Sequence, residues 1–354
     1  MGLIEETVKR ITGADQSARA KARARLSQLT MPYWALGRLL DLAETLAGIT
    51  ADPSFQVKRK TIAVMAGDHG VTEEGVSLYP KDVTAQMVYN FIAGGAGVNA
   101  IAAVCGARVV VVDMGVDADL STTKADGKLF IKKVRRATSN MAKGPAMSRD
   151  EAMRSVIAGI ETAMELAPTT DVFGTGDMGI GNTTPSSAIV SVITGKSPAE
   201  VTGRGTGIEE TQLRAKVEVI ERAIKINSPN PADAFDVLSK VGGFEIGGIA
   251  GLILGSAANK KPILVDGFIS TAGALIAQAI EPKSADYMIA AHLSAEPGHA
   301  AMLAKLGLRP HLDLDMRLGE GSGGALAMCV VDAAWQVLNN VATFESAGVS
   351  KSDK

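Results

Sequence analysis

Hydrophobic positions in this chain fall into two patterns. One is the short, nearly unbroken apolar run, at 60–66 (KTIAVMA) and 108–113 (RVVVVD), which suits strands buried on both faces of a parallel sheet. Related runs at 171–173 (DVF), 261–268 (KPILVDGF) and 287–293 (YMIAAHL) predict further strands. The other pattern has the helical period. Leu36, Leu39, Leu40, Leu42 and Leu46 mark one apolar face of a helix over 36–46. A helix over 83–90 follows Pro80 and is interrupted at Gly94 and Gly95; another runs over 148–166, opened by Ser148 with Glu151 in a capping box. Helices are also predicted from Pro185 onward and over 209–227, 242–258, 269–280 and 325–344, the 242–258 segment being so uniformly small and apolar that it must be buried. Residues 3–29 read as two charged helices, 4–11 and 17–29, the second rich in arginine and lysine on a solvated face. The polar stretch 117–147 lacks periodicity and predicts loops and short strands. Strands alternating with helices give an α/β fold with a mostly parallel sheet covered on both faces. The final helix is expected to leave the sheet and pack with the N-terminal helices.

Composition narrows the classes. The 354 residues allow one large α/β domain or two smaller ones. Apolar residues make up 46% and aromatics 4%, so the core is built from Ala, Val, Ile, Leu and Met. A net charge of −2 gives no global field for nucleic acid. Cys105 and Cys329 sit in apolar contexts and read as buried free thiols, not a disulfide framework or zinc site. The start, MGLIEETVKR, lacks the apolar core of a signal peptide, and no uninterrupted apolar run reaches membrane-spanning length. The expectation is a soluble cytoplasmic protein with a frayed SKSDK tail.

Candidate chemistry concentrates in 316–328 (MRLGEGSGGALAM). Glu320 lies between glycines that let a substrate approach. Walled by Leu318 and Met328, it would lose solvent and gain proton affinity, as a general base requires; the alternative is an ordinary loop with its Glu in water. The segment 174–179 (GTGDMG) matches G-x-G-x-x-G after a strand and before a helix. The acidic residue expected about 20 positions on is Glu200, which is not at a strand end. The amides of 179–183 at a helix N-terminus therefore suit a mononucleotide phosphate better than a dinucleotide, or form a tight turn without ligand. No G-x-x-x-x-G-K-[ST] loop is present. His292, Glu296 and His299 have a spacing that would align on a helix as metal ligands, but Pro297 and Gly298 oppose that helix. Asp68 and His69 form a second candidate pair. The favoured reading of 292–296 is a polar loop lining a ligand cleft, with His69 and His292 alternatively structural imidazoles. Lys216, on a helix after the VTGRGTG turn (201–207), is a phosphate cation or simply a surface lysine.

Taken together, AGDHGV (66–71), VSLYPKDVTAQMV (76–88), GDMGIGNTT (176–184), GGFEIGGIAGLILG (242–255), PILVDGFISTAGAL (262–275), HLSAE (292–296) and MRLGEGSG (316–323) occur in this order. They resemble the nicotinate-nucleotide:dimethylbenzimidazole phosphoribosyltransferases over about residues 30–344. The resemblance implies a homodimeric enzyme of cobamide lower-ligand assembly. It implies a Rossmann-like sheet domain over 36–329 and a small helical domain from 1–35 plus 330–354. It implies phosphoribose transfer from nicotinate mononucleotide to an aromatic base, with no cofactor and no metal. The family's catalytic base matches Glu320. Its acceptor pocket matches Ser77, Tyr79, Gln86 and Leu318. Its phosphate and ribose contacts match Asp177, Gly179, Gly181, Asn182, Thr183, Lys216 and Ser294. Two departures stand out: the family commonly has Glu at the place of Asp177, and its K-P-P-G-S-L-G-R-L loop reads MPYWALGRL (31–39) here, with Tyr33 and Trp34 offering an aromatic wall. Relatives that act on phenols, some as pairs of paralogous subunits, leave a partner-dependent subunit as the alternative; a NAD-dependent dehydrogenase is the second.

Overall fold

The structure is a computed structural model and describes residues 2–205, 207 and 209–351. Thr206 of the VTGRGTG turn and the last three residues of the predicted frayed tail lie outside the described residues. The strands of the main sheet are β1 (Lys60–Gly67), β2 (Ala107–Gly115), β3 (Leu129–Ile131), β4 (Val172–Met178), β5 (Ile263–Val265) and β6 (Met288–Ala290). All pair in parallel, in the order β3-β2-β1-β4-β5-β6. A small second sheet pairs β7 (His292–Leu293) with β8 (Leu312–Asp313). The α/β fold with a parallel sheet is as the alternation predicts. The strand order reverses between β1 and β4, and open sheets of this kind bind ligands outside the carboxyl ends at that point.

The helices are α1 (Leu3–Arg10), α2 (Gln16–Leu26), α3 (Arg38–Thr50), α4 (Val83–Ala93), α5 (Gly97–Val104), α6 (Arg149–Leu166), α7 (Thr183–Thr194), α8 (Pro198–Val201), α9 (Glu210–Asn227), α10 (Ala234–Val241), α11 (Phe244–Ala258), α12 (Phe268–Ile280), α13 (His299–Leu306), α14 (Ser322–Asn340) and α15 (Phe344–Ala347). The predicted capping box opens α6: Glu151 N–H donates to Ser148 Oγ at 3.1 Å and Ser148 N–H to Glu151 Oε2 at 2.8 Å. Helix α11 is buried along its whole length and crosses α6 at glycine positions. A Cβ on Gly159 would run into the Gly248 carbonyl, so the two backbones meet without side chains between them.

Several boundaries differ from the sequence reading, each for a local reason. The 261–268 run gives only a short β5, because Asp266 and Gly267 turn the chain and Phe268 opens α12. The 287–293 run is cut at Ala291 into β6 and β7, which belong to different sheets. Helix α7 starts at Thr183, ahead of Pro185, since a proline in the first turn forfeits no helical hydrogen bond. Helix α14 starts at Ser322 and ends at Asn340. It does not leave the sheet: it packs on β1, β4 and β5 as well as on α3 and α5. Its far end does reach the N-terminal segment, where the Arg25 guanidinium donates to the carbonyls of Asn339 at 3.2 Å and Val341 at 3.1 Å. The stretch Val83–Val104 is long and apolar enough to cross a membrane by composition. Gly94, at φ +85°, instead divides it into α4 and α5, neither long enough to span.

Candidate active site

A cleft of about 480 Å³ lies at the carboxyl ends of the strands. Ser77, Tyr79, Asp177, Gly179, Gly181, Asn182, Thr183, Ser294, Leu318 and Glu320 all line it. Gln86 and Lys216 do not. Gln86 is exposed on α4, and Lys216 is buried directly behind the wall.

The β4–α7 turn forms one side. Gly179 carries no Cβ because one would run into the Gly67 carbonyl, so the ends of β1 and β4 close on each other. Gly181 is at φ +86°, where a side chain is strained. Within the turn, Ile180 N–H donates to Thr84 Oγ1 at 3.1 Å and Asn182 N–H to the Gly179 carbonyl at 3.1 Å. Those two amides are therefore committed to the turn. Gly174 and Gly176 of the G-x-G-x-x-G match lie within β4, not in a phosphate loop. They make room for Met328 and for the Glu320 carbonyl, the latter 2.5 Å from where a Gly176 Cβ would stand. Glu200 is spent on a capping box with Ser197. The dinucleotide reading has no structural basis in either feature.

Asp177 ends this strand. Asn182 Nδ2 donates to its Oδ2 at 3.0 Å, while Oδ1 is buried without a protein partner. Burial and the neighbouring Asp266 push its carboxyl well above the ordinary range; Glu245 and Glu320 add to this, and the Asn182 bond opposes it.

Packed against the end of β4, Gly319, Glu320 and Gly321 are all left-handed, at φ +82°, +63° and +90°. For glutamate this is a strained conformation, of order 1–3 kcal/mol, and such strain collects at functional sites. The carboxylate is 7% exposed and accepts from Val98 N–H at 3.1 Å, at the start of α5. Burial raises its proton affinity; the Val98 amide pulls the other way, and Asp266 reinforces the rise. The direction is as the sequence reading expects; of its two stated walls, Leu318 stands beside the carboxylate, its Cδ2 and Glu320 Oε2 both lying over Gly97, and Met328 does not. Met328 packs on Gly174 behind the turn, and Leu318, 58% exposed, stands at the cleft mouth. Of the flanking glycines, Gly319 lines the cleft, while Gly321 serves packing: a Cβ there would lie 2.6 Å from Ile62 Cγ2.

Lys216 Nζ donates to Thr183 Oγ1 at 2.7 Å, just behind Thr183 and Gly205. Burial lowers its pKa to about 8, with Glu296 partly offsetting. His292, Ser294 and Glu296 all line the cleft, as the polar-loop reading of 292–296 has it. They do not share a helix with His299, which opens α13. His299 Nδ1 accepts from Ser294 N–H at 2.8 Å and its Nε2 lies 2.9 Å from Thr271 Oγ1, so both ring nitrogens are engaged and burial holds its pKa down to about 3. His69 Nε2 lies 2.8 Å from Glu245 Oε1, both fully buried. Among the described residues, no group of three or more His, Cys, Asp or Glu is arranged to hold a metal ion. Trp34 is held away from the cleft lining, with Arg23 over its ring and its Nε1 donating to Asp41 at 2.9 Å.

A phosphoribosyltransferase family model, DBI_PRT, matches residues 11–349. The chain is 55% identical to the nicotinate-nucleotide–dimethylbenzimidazole phosphoribosyltransferase of Syntrophotalea carbinolica, over 99% of each chain. It is 53% identical to that of Desulfotalea psychrophila over the whole of both. The chain belongs to this family. CobT from Thermus thermophilus superposes with a TM-score of 0.90 at 43% identity, covering 95% of this chain and all of that one. As a member of the nicotinate-nucleotide–dimethylbenzimidazole phosphoribosyltransferases, the chain is a pentosyltransferase, and neither the dehydrogenase nor the non-catalytic alternative is favoured.

Within this phosphoribosyltransferase site, residue-by-residue reading missed Asp266, Glu245 and Arg317. Asp266 and Glu245 are fully buried beneath the cleft, while Arg317 is exposed along it. Two of the three had a signal: Glu245 is the lone charge in an otherwise small and apolar segment, and Asp266 ends a strand run. Buried charges at such places are rare unless paired.

Proposed function

We propose that this enzyme transfers phosphoribose from nicotinate mononucleotide to an aromatic lower-ligand base of cobamide assembly, 5,6-dimethylbenzimidazole or a related benzimidazole, with phenols as a wider acceptor class. The observation that carries the reading is Glu320, strained and desolvated on the cleft wall beside the end of β4. The nucleotide phosphate lies against that turn at the N-terminus of α7, on the Gly179, Gly181 and Thr183 amides, where a helix favours an anion. Lys216 supplies counter-charge through Thr183, and Ser294 adds a hydroxyl. Asp177 Oδ1, buried and unpartnered, suits a ribose hydroxyl. Ser77, Tyr79, Gln86 and Leu318 face the acceptor side, Gln86 by a rotation of its exposed side chain.

The acceptor nitrogen attacks C1′ with its lone pair as the C1′–nitrogen bond to the pyridinium breaks. Nicotinate leaves with that electron pair, neutral at its ring, so the departure needs neither a proton nor a metal. The proton on the acceptor's other ring nitrogen passes to Glu320. Attack opposite the leaving group gives the α-ribotide. Anchoring the phosphate at a distance from C1′ uses remote binding for orientation. Residues 1–35 and 330–354 form the small helical domain around the 36–329 body, and the enzyme works in the cytoplasm as a homodimer. A heterodimer with a paralogue is distinguished by the same experiment. The purified chain alone is incubated with nicotinate mononucleotide and a panel of benzimidazoles, purines and phenols, and products are identified by mass. An α-ribotide from a benzimidazole supports the reading; no product from any acceptor overturns it.

A further inference from the structure

Asp266 follows β5, is wholly buried and stands outside the cleft lining. Its two carboxylate oxygens each take one amide from the Glu320 turn, Oδ2 from Gly321 at 3.2 Å and Oδ1 from Gly324 at 2.8 Å. Its own N–H donates at 3.0 Å to Thr175 Oγ1, which donates in turn to the Leu264 carbonyl at 3.3 Å. One residue thus ties the turn, through its side chain, to β4, through its backbone N–H. The tie matters because three consecutive residues there hold left-handed conformations, one of them a glutamate.

We propose that Asp266 is a positioning residue for phosphoribosyl transfer: its paired bonds to Gly321 and Gly324 hold Glu320 toward the cleft. The inference rests on the reading of Glu320 as the base. The charged groups around Glu320 are Asp177 at the end of β4 and Asp266 after β5, set against the Gly97 and Val98 amides of α5. His292 Nε2 lies 3.8 Å from Asp266 Oδ1, and Glu245 on α11 acts on Asp177. Removing the charge at 266 leaves Glu320 with fewer negative neighbours and lowers its proton affinity. An asparagine there also turns one N–H donor against another, because its amide can accept from only one of the two glycines at a time.

The test compares D266N and D266S, each alone and combined with E320Q, at saturating substrates. With Glu320 intact, kcat falls roughly 10–100-fold, the scale of a displaced catalytic group. Nicotinate mononucleotide binding by calorimetry is retained, and the acid limb of the kcat profile moves to lower pH. In the E320Q background the same changes cost almost nothing further, since residues acting through one group are not additive. Equal losses in both backgrounds overturn the proposal. Loss of the fold by circular dichroism in both variants also overturns it, by assigning Asp266 to the architecture alone. Near-normal turnover of E320Q by itself is a separate failure, that of Glu320 as base.

Discussion

At the scale of single residues, the site is a contest between burial and compensation. Glu320 is buried enough to bind a proton more tightly than an ordinary carboxyl, yet the Val98 amide keeps it ionisable. Glu320→Gln keeps the shape and removes the base, so turnover drops by about 10²–10⁴, the usual span for general-base catalysis. Near-normal rates in this mutant reject the assignment. Lys216 is the opposite case. With a pKa of about 8, it carries its charge below that pH and loses it above. The KM for nicotinate mononucleotide therefore rises as pH passes upward through about 8, and that rise is absent in Lys216→Ala. The mutant itself weakens the nucleotide by roughly 1.5–3 kcal/mol, the range for a charge-assisted bond, but spares the dephosphorylated riboside. Equal weakening of both ligands shows that Lys216 does not serve the phosphate. Glu320 was legible as a cleft residue from its glycine frame alone, whereas Asp177 and Ser294 were reached through the family resemblance; all three line the cleft. Asp266 showed only as a charge ending a strand run; its bonds to two amides 55 and 58 positions away were not readable.

At the scale of elements, glycine decides how closely backbones meet. Gly176 lets β4 touch the Glu320 turn, and Gly159 and Gly251 let α6 and α11 cross with no side chain between them. A Cβ on Gly251 would run into the Val156 carbonyl, and neither backbone can yield as a flexible side chain would. Gly159→Ala therefore overpacks the α6–α11 crossing and costs about 1–3 kcal/mol. Urea unfolding shows this as a lower midpoint, while KM for both substrates stays unchanged because the crossing is remote from the cleft. An unshifted midpoint means the crossing relaxes freely. The elements themselves were largely readable: strands β1 and β2 and helices α6, α9, α11 and α12 have strong periodicity or caps. The boundaries that moved did so at Asp266, Ala291 and Ser322, where tertiary contacts override local pattern.

At the scale of the whole molecule, the parallel sheet followed from alternation, but the order β3-β2-β1-β4-β5-β6 could not, since β1 pairs with β4 although β2 and β3 lie between them in the sequence. That order sets the ends of β4 and β5 side by side at one cleft, which β7 of the second sheet also lines. Two large apolar side chains of the cleft lining are exposed, Tyr79 at 55% and Leu318 at 58%; Leu78, beside Tyr79 in the chain, is 51% exposed and Tyr89 on α4 46%. Exposed large apolar side chains are the material of interaction surfaces. If the enzyme is a dimer through this surface, sedimentation gives twice the 36.6 kDa chain mass. Tyr89→Glu places a charge in the interface without touching the phosphate turn, so it shifts the protein to monomer. Acceptor KM then rises before nucleotide affinity changes, because Tyr79 and Leu318 flank the acceptor side while the β4–α7 turn lies within the subunit's own core. A Tyr89→Glu protein that stays dimeric with unchanged acceptor KM places the subunit contact elsewhere. A monomeric mutant with unchanged KM separates the contact from acceptor binding and leaves each subunit's cleft complete on its own.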